Sequence, residues 1–271
     1  MTALPAIELY SIGAELLMGQ IQDTNTYWMA RQIARIGGYV RRIAVLDDRI
    51  DDIVGALSDA VSRRTRIVIT TGGLGPTDDD LTVDAVARLM GVGIVAHEPI
   101  VEAFMQRRGI ARRGDLRPGL IKMASVPEGA RAHPNPVGAA PGVEAQLGDT
   151  TVFNLPGPPR EMEALFAQSV EGAIASLYGG SRVSLRVAVN LPESELGPIL
   201  HRVMRDHPDT YLKAYVALRQ QIGNGPRLPV DIVARAEDEP AAGALLNAAL
   251  AAFQKLVADK GQDVVVLAES E

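Results

Sequence analysis

Ile67-Val68-Ile69-Thr70-Thr71-Gly72-Gly73-Leu74-Gly75-Pro76-Thr77-Asp78-Asp79-Asp80-Leu81-Thr82 is the stretch on which the reading of the chain turns. An apolar run ends in a glycine-rich turn, which leads into the helical pattern Val83-Asp84-Ala85-Val86-Ala87-Arg88-Leu89-Met90. Strand, turn and helix in this order bring backbone N–H groups and a helix start to face an anion. The consecutive carboxylates Asp78, Asp79 and Asp80 would repel a bare phosphate. A divalent cation between them removes the conflict, because Mg²⁺ is usually held by one or two carboxylates together with substrate phosphates. A plain surface turn before an acid-rich helix start, which the helix dipole favours, explains the acids but not the Gly-Gly-x-Gly-Pro turn.

Upstream of the turn, strands and helices alternate. Residues 7–13 read as a strand ending in Gly13, followed by a loop over 14–22. Asp23 or Thr24 can cap a helix to Ile36, with Met29, Ile33 and Ile36 at helical spacing and Gly37-Gly38 as its stop. Residues 39–46 are β-rich and end at Asp47-Asp48, and Ile50, Ile53, Val54, Leu57 and Val61 then mark one face of an amphipathic helix. Such alternation implies a parallel sheet covered by helices on both faces, with ligands bound beyond the carboxyl ends of the strands. Gly13-Ala14-Glu15, Asp47-Asp48 and the stretch 72–80 should therefore gather on one rim.

Downstream, Pro99 opens a helix with Ile100, Val101, Phe104 and Met105 as its buried side. Residues 107–119 carry five arginines and three glycines and read as a solvated connection, with an arginine-bearing lid as the minority option. Residues 126–141 are rich in Pro and Gly and favour extended geometry. A strand over 151–155, a rigid Pro-Gly-Pro-Pro turn and a helix over 160–177 close the first domain, 1–178. The second, 181–271, reads as strand, helix, two strands joined by a turn at Gly223-Asn224-Gly225-Pro226, and a helix over 240–258, a small α+β unit.

The chain has 271 residues, 47% hydrophobic and 22% charged, with a formal net charge of -6. No sequence-wide attraction to nucleic acid or anionic membrane follows from that balance. Without cysteine there are no disulfides or thiolate ligands, and His97, His133, His201 and His207 lack metal-ligand spacing. No apolar run approaches a bilayer-spanning length, and the N-terminus lacks a basic segment followed by an apolar one, so a cytoplasmic location is the expectation.

The ordered segments 13–25, 70–82, 135–142 and 155–162 together resemble the CinA (competence/damage-inducible protein A) family. Its first domain belongs to the molybdopterin-binding, MoaB/MogA-like superfamily. The resemblance covers roughly 5–178, and the last ninety residues are similar to the family's KH-like small domain, best at Pro192-Glu193-Ser194-Glu195-Leu196. Many members continue into a domain that deamidates nicotinamide mononucleotide, an activity not expected of this chain. The resemblance implies a three-layer α/β/α domain with a mostly parallel sheet and a second, smaller α+β domain.

By position, Gly72, Gly73 and Gly75 would hold phosphates, helped by Gly13, Thr77, Asn135, Gly138, Pro156 and Gly157. Asp80, Asp48 and Glu15 would bind a divalent metal (Mg, Mn or Co), and Lys122 would act near the substrate beside Asp80. The implied reaction is metal-dependent hydrolysis of a nucleotide pyrophosphate such as ADP-ribose. The alternative is binding or adenylylation of molybdopterin. Leu120 and Met123 stand where the family usually has Asn and Gln, and Ala139 where it has Thr. Apolar groups cannot replace those hydrogen bonds, which motivates a third reading, a nucleotide-binding module without catalysis. The partner expected is a nucleotide or pterin, in a homo-oligomer (a dimer favoured over a trimer), with no nucleic acid and no membrane.

Overall fold

Strand β1 (Ile7–Ile12) is buried along its whole length and sends side chains into two separate cores. Ile7 and Leu9 join one, Tyr10 and Ile12 the other, which is what a strand covered on both faces must do. After β1 come α1 (Ala14–Leu17), α2 (Asn25–Arg35), β2 (Val40–Leu46), α3 (Ile50–Ser62), β3 (Ile67–Thr71), α4 (Thr82–Met90), β4 (Ile94–Ala96) and α5 (Glu98–Arg108). The unit continues through α6 (Pro118–Met123), β5 (Ser125–Pro127), β6 (Arg131–His133), β7 (Gly142–Leu147), β8 (Thr150–Leu155), α7 (Pro159–Leu165) and α8 (Glu171–Tyr178). The computed structural model describes residues 5–222 and 225–267, and the chain divides between Tyr178 and Gly179.

The sheet order is β2-β1-β3-β8-β7-β6. The first four strands are mutually parallel, and β7 is antiparallel to both β8 and β6. On one face Met29 and Ile33 of α2 pack with Met162, Leu165, Phe166, Val170 and Ile174 against Ile69, Phe153 and Leu155. On the other, Ile53 and Leu57 of α3 and Val86 of α4 cover Val68 and Val152. This is the three-layer arrangement. Trp28 meets Phe166 edge-on at 5.4 Å between ring centroids, a packed indole rather than an exposed one.

Some local expectations hold and others need correction. Residues 14–22 begin with the short helix α1 rather than a loop. The arginine-rich segment is the largely exposed connection expected, entered at the end of α5 and pinned by Leu116, which is buried with Phe104 and Leu120 in a satellite core. Three of its arginines hold protein groups: Arg107 donates to the Gly138 carbonyl at 2.8 Å, Arg112 stands 3.5 Å from Asp115, and Arg113 pairs with Glu98. The helix expected over 160–177 forms, running from α7 into α8 through a π turn, Phe166–Val170. Strand β7 was missing from the sequence reading altogether.

The second unit has the sheet order β10-β12-β9-β13, built from β9 (Ser181–Val189), β10 (Thr210–Ala214), β11 (Gln220–Ile222), β12 (Gly225–Ala236) and β13 (Val264–Val266), with β11 beside β12. Helices α9 (Glu193–Asp206) and α10 (Glu239–Ala258) supply Leu196, Leu200, Leu246 and Phe253 to a core against Val187, Val230 and Ile232. The first strand of the expected pair is broken by a turn at Val216–Leu218, and Gly223 and Asn224 of the expected hairpin turn lie outside the described residues. By length and composition α10 could cross a bilayer, contrary to the sequence expectation. Its Ala242, Leu246, Ala249, Phe253 and Val257 face is buried, which accounts for the apolar composition by packing.

Candidate functional site

Parallel strands that share a direction also share the edge at which they end. The ends of β1, β2, β3 and β8 place Gly13, Asp48, Gly72 and Pro156 around one cleft of about 620 Å³. Glu15, Gly73, Gly75, Asp80 and Gly157 also line it, so these sequence-chosen residues lie together. Thr77, Lys122, Asn135 and Gly138 are not in its wall. Lys122 lines an adjoining cavity of about 340 Å³ that shares Gly73, Leu74, Gly75, Asp80 and Met123 with the cleft, and its Nζ donates to the Thr77 carbonyl.

The turn is held from several sides. Gly72 N–H donates to the Leu155 carbonyl at 3.0 Å, and Thr82 Oγ1 donates to the Gly72 carbonyl at 2.9 Å. Asp80 Oδ2 accepts from Thr77 N–H at 2.8 Å and from Thr77 Oγ1 at 2.6 Å, closing the turn's far end. Between these ties, no described group accepts from the N–H of Gly73, Leu74 or Gly75. Three successive unsatisfied donors on a cleft wall make an anion cradle.

The carboxylates around it have other work. Asp48 Oδ2 accepts from Ala14 N–H at 2.7 Å, tying the end of β2 to the start of α1. Burial pushes the Asp48 carboxyl above its ordinary range; the Ala14 N–H opposes that, and the charges of Glu15, Asp79 and Asp47 push it further up. Glu15, Asp48 and Asp80 all line the cleft, yet among the described residues no three His, Asp or Glu side chains converge as metal ligands. In this arrangement Asp80 closes its own turn and Asp48 accepts from Ala14. Asparagine at position 48 would still accept from Ala14 while removing a charge its neighbours repel. Asp48→Asn should raise the thermal midpoint at neutral pH by roughly 2 °C; a lower midpoint in calorimetry would contradict the electrostatic reading.

Several wall residues escaped the sequence reading. Asn25 Nδ2 donates to Thr71 Oγ1 at 2.9 Å and to the Gly157 carbonyl at 2.8 Å, while Thr71 Oγ1 donates to the Pro156 carbonyl. Asp23 takes the Thr26 N–H at 3.1 Å, capping α2 beside the cleft. Ser11 also lines the cleft, and its buried Oγ has no partner among the described residues. Asn135 and Gly138 stand behind the wall and place Glu161 in it: Asn135 Nδ2 donates to Glu161 Oε2 at 2.6 Å. The signal for Glu161 lay inside the 155–162 segment, where a first-turn acid is readily taken for a helix-dipole residue.

Residues 8–176 match the family described as probable molybdopterin binding domain. A protein of Pyrobaculum calidifontis is 36% identical over 266 residues, 97% of this chain and 100% of that protein. A CinA-like protein of Kosmotoga olearia is 40% identical over 164 residues, 60% of this chain and 39% of the relative. The crystal structure of the protein CinA from Thermoplasma acidophilum is similar at a TM-score of 0.58 and 35% identity, covering 63% of this chain and 98% of that one. The family match spans nearly all of the first unit, and the CinA likeness falls on an ordered set of cleft-forming segments. The chain therefore belongs to the molybdopterin-binding domain family, as a CinA-type member whose first unit is the MoaB/MogA-like domain.

Proposed function

We propose that the cleft binds a phosphorylated pterin of the molybdopterin type, with the phosphate on the N–H groups of Gly73, Leu74 and Gly75. The observation that carries this reading is the run of three donors without acceptors on the wall of a cleft of about 620 Å³. Backbone donors fixed by the fold need no reorganisation when the anion arrives, so their dipoles act at full strength on the bound charge. Lys122, tied to the Thr77 carbonyl, offsets the acids of the loop, Asp79 of the cleft wall among them. The family description supports a pterin as the occupant. Such a site would place this chain in molybdenum cofactor assembly, as a binder or as an adenylylating step.

Gly75 tests the cradle with little risk to the fold. An ideal Cβ there lies 2.5 Å from Asp80 Oδ2, so Gly75→Ala must push the carboxylate that closes the turn. Affinity for a pterin phosphate, measured by calorimetry, should fall at least about tenfold while the unfolding midpoint moves little. Unchanged affinity would remove the cradle from the argument.

A second reading is favoured by the repulsive set Asp48, Glu15 and Asp79 beside the cradle, which a divalent cation would relieve. It is hydrolysis of a nucleotide pyrophosphate such as ADP-ribose with Mg²⁺, Mn²⁺ or Co²⁺. Among the described residues the carboxylates do not form a ligand set by themselves. Release of AMP and ribose 5-phosphate from ADP-ribose, dependent on added metal, would favour it over the binding role. Pterin-phosphate binding with no turnover of ADP-ribose under any of these metals would exclude it.

A further inference from the structure

Two of the segments that form the site spend their side chains on one group. Asn135 Nδ2 donates to Glu161 Oε2 at 2.6 Å and to the Ala140 carbonyl at 2.8 Å. Its Oδ1 accepts from the N–H groups of Val137 at 3.0 Å and Gly138 at 2.8 Å, so every polar atom of the amide is committed. Gly138 makes room: an ideal Cβ there would lie 2.0 Å from Glu161 Cδ. Arg107 holds the Gly138 carbonyl from outside at 2.8 Å. The result is a carboxylate fixed in the cleft wall. Among the described residues no Lys or Arg pairs with it, and none donates to its Oε1.

A carboxylate held by a neutral amide, with no cation beside it, is an acceptor looking for donors. The neighbouring wall has the same polarity. Both Nδ2 hydrogens of Asn25 are taken up by Thr71 and Gly157, which leaves only its Oδ1 to face a ligand. The cleft is thus polarised, with donors at Gly73, Leu74 and Gly75 and acceptors at Asn25 and Glu161.

We infer that Glu161 is a specificity-determining residue that reads the ring of the ligand, and that it selects the 2-amino-4-oxopyrimidine edge. This inference rests on the reading that the cleft holds a phosphorylated ring compound. That edge presents a ring N–H and an exocyclic NH₂ side by side, two parallel donors matching the two oxygens of a carboxylate. Pterins and guanine share it. Adenine offers a donor next to an acceptor, and its ring nitrogen lone pair would face a carboxylate lone pair, so the contact is lost and repulsion takes its place. Asn25 Oδ1 is left for a further amino or hydroxyl donor.

The test uses the full chain and three probes by titration calorimetry: GMP, AMP and ribose 5-phosphate. Wild type should bind GMP at least about tenfold more tightly than AMP. Glu161→Gln keeps the size and an acceptor for Asn135 but turns a donor toward the ring. It should bring GMP and AMP to within about threefold of each other and leave ribose 5-phosphate binding unchanged. Equal affinity of wild type for GMP and AMP overturns the assignment whether or not the variant folds. So does a preference for GMP that survives in Glu161→Gln. In both cases retained ribose 5-phosphate binding leaves the phosphate cradle standing. Failure of all three probes to bind wild type overturns the cradle and this inference together.

Discussion

Alanine at position 72 is expected to cost the first unit about 3–5 kcal/mol and to abolish ligand binding. Gly72 has φ of 106°, a region closed to side chains, and its ideal Cβ would lie 2.2 Å from the Ile12 carbonyl oxygen. The obstacle is backbone at the end of β1, so no rotamer change relieves it. Nor can the turn swing away. Its N–H is tied to the Leu155 carbonyl and its own carbonyl to Thr82 Oγ1. Strain of about 1–3 kcal/mol and overpacking of similar size add in the same place. The two units can unfold separately, so the measurement should follow the first alone. Trp28, the single tryptophan, packs on Phe166 in that unit and supplies the signal for urea unfolding. A loss below about 1 kcal/mol would mean that the crossing of β1 and the glycine turn is looser than drawn.

The same crossing shows why much of the site was legible in the chain and some of it was not. Gly13, Asp48 and Gly72 each follow an apolar run with β character, and once the runs are parallel their ends must share an edge. That argument needs only topology. It does not say which cavity a residue lines, and so Lys122, expected near the substrate, is found in the wall of the adjoining cavity. Strand β7, Gly142–Leu147, was legible and went unread: buried Val143, Ala145 and Leu147 alternate with Glu144 and Gln146, the period of a half-buried strand. The segment 107–119 is solvated as its composition implies, yet composition did not show what anchors it. Its arginines dominate the composition, while the fold depends there on Leu116, with Leu120 just beyond it. Glu161 and Asn25 lay within recognisable segments, but their roles depend on which hydrogens are already committed, a property of the assembled wall alone.

The largest charge effect is expected on the opposite side of β1 from Ile7 and Leu9, at Glu8. This carboxylate is fully buried and takes hydrogen bonds from Arg63 at 2.8 and 3.0 Å, Thr65 at 2.7 Å and Tyr10 at 2.5 Å. Burial alone would raise its pKa; the bonds from Arg63, Tyr10 and Thr65 overcome that and bring it from 4.5 down to about 2. A folded-state pKa below the unfolded one stabilises fully above pH 4.5, and the gain is lost as pH falls toward 2. The shift corresponds to about 3 kcal/mol. Arg63→Ala removes the strongest partner and leaves the charge buried, at a cost of about 3–5 kcal/mol at pH 7. It should also reverse the sign of the group's pH dependence. With the guanidinium gone, burial prevails, Glu8 titrates above the ordinary carboxylate range, and protonation relieves the variant where it would harm wild type. Between pH 7 and pH 4 the gap in unfolding free energy between the two proteins should therefore narrow by about 1 kcal/mol or more, read again through Trp28. A gap of constant width would show that Thr65, Tyr10 and Arg42, which stands 3.8 Å from the carboxylate, hold the charge without Arg63. In that case the network, rather than one ion pair, is what keeps an acid in the core of the sheet.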